Sequence, residues 1–324
     1  DQSTAAVLAD VDSSNFAGGN LTVTITSGED SAEDVLSLST SGTVALASTS
    51  SGANVSVGNT VVGTLANAIA AGNDLVVNLN SAATAANVQT LVRAITYQNT
   101  DTDNPTTGDR VVRVTVNDGD GGTSANANVT VAVAAVNDAP VVSGAGATLA
   151  YTENASATVI DASLTLSDVD SNNLTGATVT ISGNFQSGGE DVLAFTAASG
   201  SNITGSFNNS TGVLTLSGTT TKALYEQTLE SVTYQNTSDN PSTSARTITW
   251  HVNDGSGANN LSSAVTSTVA VTAVNDVPTI ANLGSDSFTF TEGAAATVID
   301  QSTAAVLADV DSSNFAGGNL TVTI

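Results

Sequence analysis

The sequence predicts an all-β chain: tandem antiparallel Greek-key β-sandwiches with one short helix per domain, arranged as a linear rod. Three observations lead there. Short segments such as "LTVTI" (21–25) and "ATVTISG" (177–183) alternate small apolar with polar residues at period two, the pattern of a strand with one buried face. Clusters of Gly, Asn and Ser such as "NNSTG" (208–212) punctuate these segments and mark tight turns. Finally, residues 1–25 and 300–324 are the same 25 letters, 299 residues apart, and self-similarity at a fixed period marks a tandem array.

Each 299-residue period holds two divergent copies of a shorter unit. "DVDSSNF" (10–16) returns as "DVDSNNL" (168–174), "EDVLSL" (33–38) as "EDVLAF" (190–195), and "ITYQNTDTDNP" (95–105) as "VTYQNTSDNP" (232–241). "VNDG" recurs at 116–119 and 252–255, followed by "VAVAAVNDAP" (131–140) and "VAVTAVNDVP" (269–278). A boundary is placed after each "AVND". The Pro that follows (Pro140, Pro278) lacks an N–H and restricts the preceding residue to extended geometry, giving a short, stiff junction. The domains read as 1–138, 139–276 and a fragment, 277–324. Domain one then lacks an opening strand that domain two has at about 146–160, and residues 277–299 supply such a strand at the other end. A continuous or end-to-end array follows, covalent or strand-exchanged, in which both copies of the 25 residues share one backbone conformation.

Within each unit, "VVRVTVND" (111–118), "GVLTLSG" (212–218) and "RTITWHVND" (246–254) extend the strand pattern. "TKALYEQTLESVTY" (221–234) breaks it: Ala223, Leu224, Thr228 and Leu229 fall at helical spacing, so a helix at about 221–229 leads into a strand, and 83–97 does the same. Seven or more short strands in each unit indicate a Greek-key sandwich.

Composition narrows the function classes. Ala, Val, Leu and Ile supply most of the 40% hydrophobic content, with 4% aromatics, one Trp and no Met, which suits thin sandwiches over wide ligand cavities. Cysteine is absent, so rigidity needs a source other than disulfides. The formal charge of −25 disfavours nucleic acid and anionic membranes. No apolar run is long enough to span a bilayer, and no signal peptide is visible, which in an excised window says nothing about export. Among the acids, 23 are Asp and 7 Glu. Short Asp side chains suit turns and rigid oxygen cages for Ca²⁺.

The acids concentrate where a sandwich presents its loops: Glu153 in "YTEN", Asp168 and Asp170 in "SDVDS", Asp254 in "VND", Asn275 and Asp276 at the junction. Asp-x-Asp puts two carboxylates on one side of an extended chain, and Ca²⁺ takes six to eight oxygens. Turn capping alone is the bland alternative, and matching positions in both copies favour metal. "GEDSAED" and "GGED", with Glu33, Asp34, Glu190 and Asp191, read as solvated strand entries.

These motifs in combination resemble cadherin repeats, and more closely the cadherin-like and VCBS-type repeats of giant RTX-type bacterial surface adhesins. The resemblance spans the whole chain and implies a cadherin/Ig-like sandwich with Ca²⁺ at its junctions. It implies Asn137, Asp138, Asp168, Asp170, Asn173 and Asp254 at one junction, and Glu153, Asn275, Asp276, Asp309, Asp311 and Asn314 at the next. Asp10, Asp12, Asn15 and Asp118 would serve the junction before domain one, with Glu292 matching Glu153. Where cadherins carry an acidic "LDRE"-type element this chain has neutral "TYQN" (Gln98, Asn99; Gln235, Asn236), which implies fewer ions or weaker binding.

Catalysis has little material. His251, the only histidine, faces Thr115 in the other copy, and Trp250 faces Val114 as a core plug. Lys222, the only lysine, opens the predicted helix, where an exposed role is the default. Carboxylate pairs without aromatic platforms do not make a glycosidase. The expected role is a structural repeat region of a secreted surface adhesin or extracellular fibre, a Ca²⁺-stiffened spacer in adhesion or biofilm matrix. The partners are neighbouring copies of the same repeat. The alternative is that the repeats themselves bind a glycan or associate laterally.

Overall fold

The computed structural model describes residues 5–324, which form two compact units, 5–136 and 137–324. Both are sandwiches of mainly antiparallel strands, and the central strands show the single buried face that the period-two pattern predicts. The first unit runs β1 (Asn20–Ser27), β2 (Asp34–Leu38), β3 (Val44–Leu46), β4 (Asn54–Val57), β5 (Thr60–Leu65), β6 (Leu75–Leu79), α1 (Ala85–Arg93), β7 (Ile95–Asn99), β8 (Gly108–Asn117) and β9 (Ala127–Val133). Its large sheet has the order β3-β4-β5-β6-β1-β8-β9, and β2-β7 forms the second sheet. Leu21, Val23 and Ile25 alternate inward from β1 and meet Leu36 and Leu38 of β2 in one core.

The second unit contains β10 (Val141–Ser143), β11 (Thr148–Thr152), β12 (Thr158–Val159), β13 (Thr165–Ser167), β14 (Asn173–Gly183), β15 (Asp191–Ala194), β16 (Thr204–Asn208), β17 (Val213–Thr221), α2 (Lys222–Glu230), β18 (Thr233–Asn236), β19 (Arg246–Asn253), β20 (Val265–Thr272), β21 (Thr279–Ala281) and β22 (Val306–Ala308). Its six-stranded sheet is β11-β20-β19-β14-β17-β16, faced by β12-β18-β15, with the pairs β10-β13 and β21-β22 beside them. Every pairing is antiparallel except β11 with β20, which is parallel. Trp250 is fully buried, and its indole N–H donates to Ser267 Oγ (3.0 Å), which donates to Asp161 Oδ2 (2.7 Å). Burial works against ionisation of Asp161, but hydrogen bonds from Ser163, Ser267 and the Ala147 amide outweigh it and hold its carboxyl below the usual range.

Both predicted helices form, each in the turn before the "TYQN" strand. Thr84 caps α1 by accepting from the Asn87 amide (3.3 Å), satisfying one orphan donor of the first turn. The buried face of α2 is Tyr225, Thr228 and Leu229, while Ala223 is exposed. Tyr225 is therefore the inward aromatic that the spacing of the aliphatic residues alone did not mark. Its phenol donates to Gly218 O (2.7 Å), and burial pushes its pKa up to about 12.

Two expectations need correction. Asp34 and Asp191 are not solvated strand entries; both are buried. Asp191 Oδ1 accepts from Tyr234 (2.5 Å), Asn236 (2.8 Å) and Arg246 Nη2 (3.1 Å), and Oδ2 accepts from Arg246 Nε (3.1 Å). Asp34 repeats the arrangement: Tyr97 and Asn99 donate to Oδ1, and Arg110 Nε to Oδ2 (2.9 Å). The neutral "TYQN" strand is thus the polar lining of a buried ion pair. Its signal in the sequence was the two arginines at matching places in a chain with only five basic residues. The second correction concerns the 25-residue repeat. Both copies form the same Asp-x-Asp turn, but residues 20–27 are a strand whereas 319–324 are not, and 306–308 pair as β22 whereas 7–9 do not. Identical letters adopt different pairing because each copy has a partner strand that the other lacks.

Breaking the buried pair tests its weight. Arg246→Met leaves Asp191 buried with an uncompensated charge and should destabilise the second unit by about 3–5 kcal/mol. The double variant Asp191→Leu/Arg246→Met should recover part of that loss in urea unfolding. Acid provides a second check on the first unit. Burial alone would raise the Asp34 pKa, but hydrogen bonds from Tyr97, the Asp30 amide and Arg110 bring it below the usual range. That stabilisation is fully present above the unfolded carboxylate pKa of about 4 and is lost as pH falls through the lower folded value. Asp34→Asn should flatten this acid limb of stability against pH.

Candidate functional site

Three copies of one turn carry the predicted metal residues. Asp168 Oδ1 accepts from the amides of Asp170 (3.2 Å) and Ser171 (2.9 Å). Asp309 Oδ1 takes Asp311 (3.0 Å) and Ser312 (2.9 Å), and Asp10 Oδ1 takes Asp12 (3.2 Å) and Ser13 (2.9 Å). The motif is therefore a tight turn capped by its own first carboxylate, not the extended pair the alternation argument supposed. Capping engages only Oδ1 of the first carboxylate in each copy.

At the first junction in the second unit, the Asp138 amide donates to Asp170 Oδ2 (2.9 Å). Asn137 Nδ2 donates to Asp254 Oδ2 (2.9 Å), and Asn137 Oδ1 accepts from Ser256 Oγ (2.6 Å). Asn137, Asp138, Asp168, Asp170 and Asp254 are thus brought together. At the second, the Asp276 amide donates to Asp311 Oδ2 (2.6 Å), and the Val274 amide to Glu153 Oε2 (2.7 Å). Asn275 folds its amide onto Asp276 O (2.6 Å). The same amide-to-carboxylate bond is built twice.

Other predicted residues stand apart from these contacts. Asn15 and Asn314 each accept from the amide two residues on, Ala17 and Ala316, at 3.0 Å. Asn173 opens β14 as an exposed residue in register with Thr221, and Glu292 is exposed. Asp118 Oδ1 caps its own loop through the amides of Asp120 (2.7 Å) and Gly122 (2.9 Å). That loop meets the Asp10 turn through Ser13 Oγ, which donates to Asp120 Oδ2 (3.3 Å). Gly19 lets the two segments approach: a Cβ there would lie 2.0 Å from Asn117 O.

The electrostatics of the two junctions differ. Five carboxylate oxygens among the described residues are buried without a hydrogen-bond partner: Asp168 Oδ2 and Asp170 Oδ1 at one, Glu153 Oε1, Asp276 Oδ2 and Asp311 Oδ1 at the other. Glu153 is itself only 4% exposed. Desolvation, reinforced by Asp311, Glu153, Asp239 and Asp309, pushes the Asp276 carboxyl up from its ordinary value. Asp239 was not singled out from the sequence; it lies in the "SDNP" that follows "TYQN", three residues beyond the neutral stretch.

Lys222 was missed for a different reason. A lysine at a helix start reads as exposed, yet this one is half-buried, and its ammonium donates to the carbonyls of Asp168 and Ser171, both at 2.6 Å. It clasps the Asp-x-Asp turn from beneath. Desolvation raises the Asp168 pKa, with Asp170 adding to it; the Asp138 amide chiefly, with Lys222 contributing, lowers that of Asp170. The first unit has no lysine at all. Among the described residues, no three His, Cys, Asp or Glu side chains already stand in an arrangement that would hold a metal ion. Nor does any described helix have the length and apolarity to cross a membrane.

No family model matches the chain. A stretch of 112 residues, 34% of the chain, is 39% identical to halomucin of Haloquadratum walsbyi (strain DSM 16790 / HBSQ001), of which it covers 1%. Among solved structures, the protocadherin gammaB7 EC3-6 cis-dimer is similar at 15% identity and a TM-score of 0.27, over 91% of this chain and 62% of that one. The collagen adhesin (CNA) from S. aureus is similar at 14% and 0.19, over 81% and 96% respectively. Scores this low carry no argument, and the assignment as an all-β sandwich rests on the strands and cores described above.

Lys222→Met tests the clasp. Two charge-assisted hydrogen bonds are lost from a partly buried site, so the second unit should lose about 1–3 kcal/mol. In metal-free buffer the Asp170 and Ser171 amides should exchange hydrogen faster, while Asp311 and Ser312 stay unchanged.

Proposed function

We propose that this chain is a repeat region of an extracellular surface protein, an adhesin or fibre, in which Ca²⁺ taken up at the domain junctions braces each sandwich against the next. One observation supports the reading above others. Of six buried side-chain polar atoms without a partner among the described residues, five are carboxylate oxygens of the two junction clusters. Buried polar atoms are nearly always satisfied, and buried charge is retained where it is paired or coordinates metal.

The donor set fits a hard cation. It offers carboxylates and amide oxygens, with neither cysteine nor a histidine in either cluster, which suits Ca²⁺ in preference to Zn²⁺. Bound there, the ion supplies charge neutralisation and coordination. The chain's own residues do the rest: Asp168 and Asp309 fix their turns through amide caps, and Asp138 and Asp276 tie the linker to those turns. Lys222 already neutralises part of the first cluster, so the second depends more on the ion. The net charge of −25 keeps such an array soluble and self-repelling. The local likeness to halomucin, of which the chain covers 1%, is in keeping with a repeat region of a much longer protein. No residue set argues for catalysis: His251 Nδ1 is engaged with Ser262 O (3.0 Å), and the proposed role is structural.

Calorimetric titration of the 324-residue chain with Ca²⁺ tests this. Binding should saturate and raise the melting temperature of the second unit. At a hundredfold excess over Kd the gain is about 2.7 kcal/mol per site, or roughly 5–10 °C for a unit of this size. Asp276→Asn/Asp311→Asn should remove one binding event and leave the metal-free fold intact. An absence of Ca²⁺ heat, with melting unchanged between Ca²⁺ and chelator, would reject the metal reading.

A further inference from the structure

The six-stranded sheet of the second unit ends at β16, whose inner edge pairs with β17 from Thr204–Ser217 to Asn208–Val213. No strand among the described residues pairs with its outer edge. All six strands lie between residues 148 and 272, well inside the chain. The first unit covers the same place. β1 and β14 follow the repeated Asp-x-Asp turns, β6 and β17 pair with them, and β5 and β16 come next. Beyond β5 the first sheet continues through β4 and β3. In the second unit residues 195–203, which lead into β16, form no strand.

Exposed sheet edges are ordinarily guarded by lysine, other charges, proline or a bulge. β16 has none of these: it reads "TGSFN", and its register with β17 runs without a shift. The neutrality extends well beyond the strand. Residues 192–221 carry no charged side chain, in a chain of formal charge −25. Across all six strands the one charged residue is Arg246, which is buried. The acids that hold two copies apart are thus kept off this flank, and apolar surface gathers there instead. Phe185, Phe195 and Phe207 pack against the core without being fully buried. Phe185 and Phe207 stand edge to face at 6.4 Å, and a Cβ on Gly205 would come within 3.0 Å of the Phe195 ring. Three of the chain's seven phenylalanines therefore lie along one neutral edge.

We infer that β16 is the contact through which two copies of the chain join side by side, edge to edge and antiparallel about a two-fold axis. Charge selects this occupant: two strongly acidic copies approach most easily where neither carries an exposed charge. The strand is also self-complementary. Centred on Ser206, the two-fold sets Gly205 opposite Phe207 of the second copy, and Thr204 opposite its Asn208. Gly205 has no side chain of its own, so the incoming phenylalanine covers the bare backbone and comes beside Phe195, an aromatic–glycine cross-strand pair. On the solvent side Ser206 meets its own counterpart, and every facing pair is neutral. The unpaired amides and carbonyls of an open edge are the groups through which a sheet extends from one chain to another. A two-fold contact uses the same patch on both copies and closes at a dimer. In a tandem array such contacts recur with the repeat, and their avidity adds. The contact does not depend on bound metal.

Cross-linking tests the register in this cysteine-free chain. Ser206 is exposed and faces its counterpart across the axis, so Ser206→Cys should oxidise to a disulfide-linked dimer. Thr204→Cys and Asn208→Cys should cross-link when mixed, and neither should do so alone. Thr215→Cys, on the next strand in register with Ser206, should stay monomeric under the same conditions. Sedimentation of the wild-type chain should show a monomer–dimer equilibrium, unchanged by chelator and stronger at higher salt because two copies of charge −25 repel elsewhere. Ser206→Lys sets like charges directly opposite each other at the axis. It should weaken association at least tenfold while both melting transitions stay where they are. Wild-type monomers at every concentration and salt, a dimer indifferent to Ser206→Lys, or cross-linking of Thr215→Cys as efficient as that of Ser206→Cys would each overturn the inference.

Discussion

One buried carboxylate joins the two sheets of each sandwich, and the arrangement of the rest follows from it. Asp34 stands on β2 and Arg110 on β8; Asp191 stands on β15 and Arg246 on β19. The partners of each pair therefore come from opposite sheets. An ion pair removed from water is tolerated only with good geometry and with its remaining lone pairs and protons satisfied. Here a tyrosine, an asparagine and loop carbonyls complete the set. Arg246 Nη1 reaches Ser244 O (2.7 Å), and Arg110 Nη2 reaches Thr106 O (2.7 Å). These carbonyls tie the loop before β8 or β19 to the clamp. In a chain of small aliphatic residues with 4% aromatics, such a pair supplies a specificity of sheet alignment that interchangeable Val and Leu side chains do not.

The clamp bears on the junction indirectly. The strand that supplies Tyr234 and Asn236 runs directly into the "TSDNP" turn carrying Asp239 and Asn240. Asn240 Nδ2 donates to Val310 O (2.8 Å), in the middle of the Asp309–Asp311 turn. A buried network in the core therefore holds one wall of the acidic cluster. The other wall is Glu153, fixed at the end of β11 by the parallel ladder with β20 and by the Val274 amide. The carboxylates are held close by bonds that do not involve metal, so like charges accumulate where desolvation already disfavours them. Lys222 relieves one cluster; the other has no lysine or arginine among its contacts described above. Two junctions of similar backbone thus differ in how much an added cation would contribute.

The all-β class, the two-fold inner repeat, both helices, the buried Trp250 and the clustering of Asp138, Asp168, Asp170 and Asp254 were all determined by the sequence. Each depends on local periodicity or on spacing, which the order of residues records directly. The tertiary structure alone decided the rest. Asp34 and Asp191 look like solvated acids because their arginines lie 76 and 55 residues away, and charge pairing at that separation leaves no local pattern. Lys222 reads as a surface residue until the chain folds its turn carbonyls over it. The same 25 letters are strand in one place and unpaired in another. Backbone hydrogen bonds in a sheet are satisfied by a neighbouring strand, and which strand is adjacent is a property of the fold.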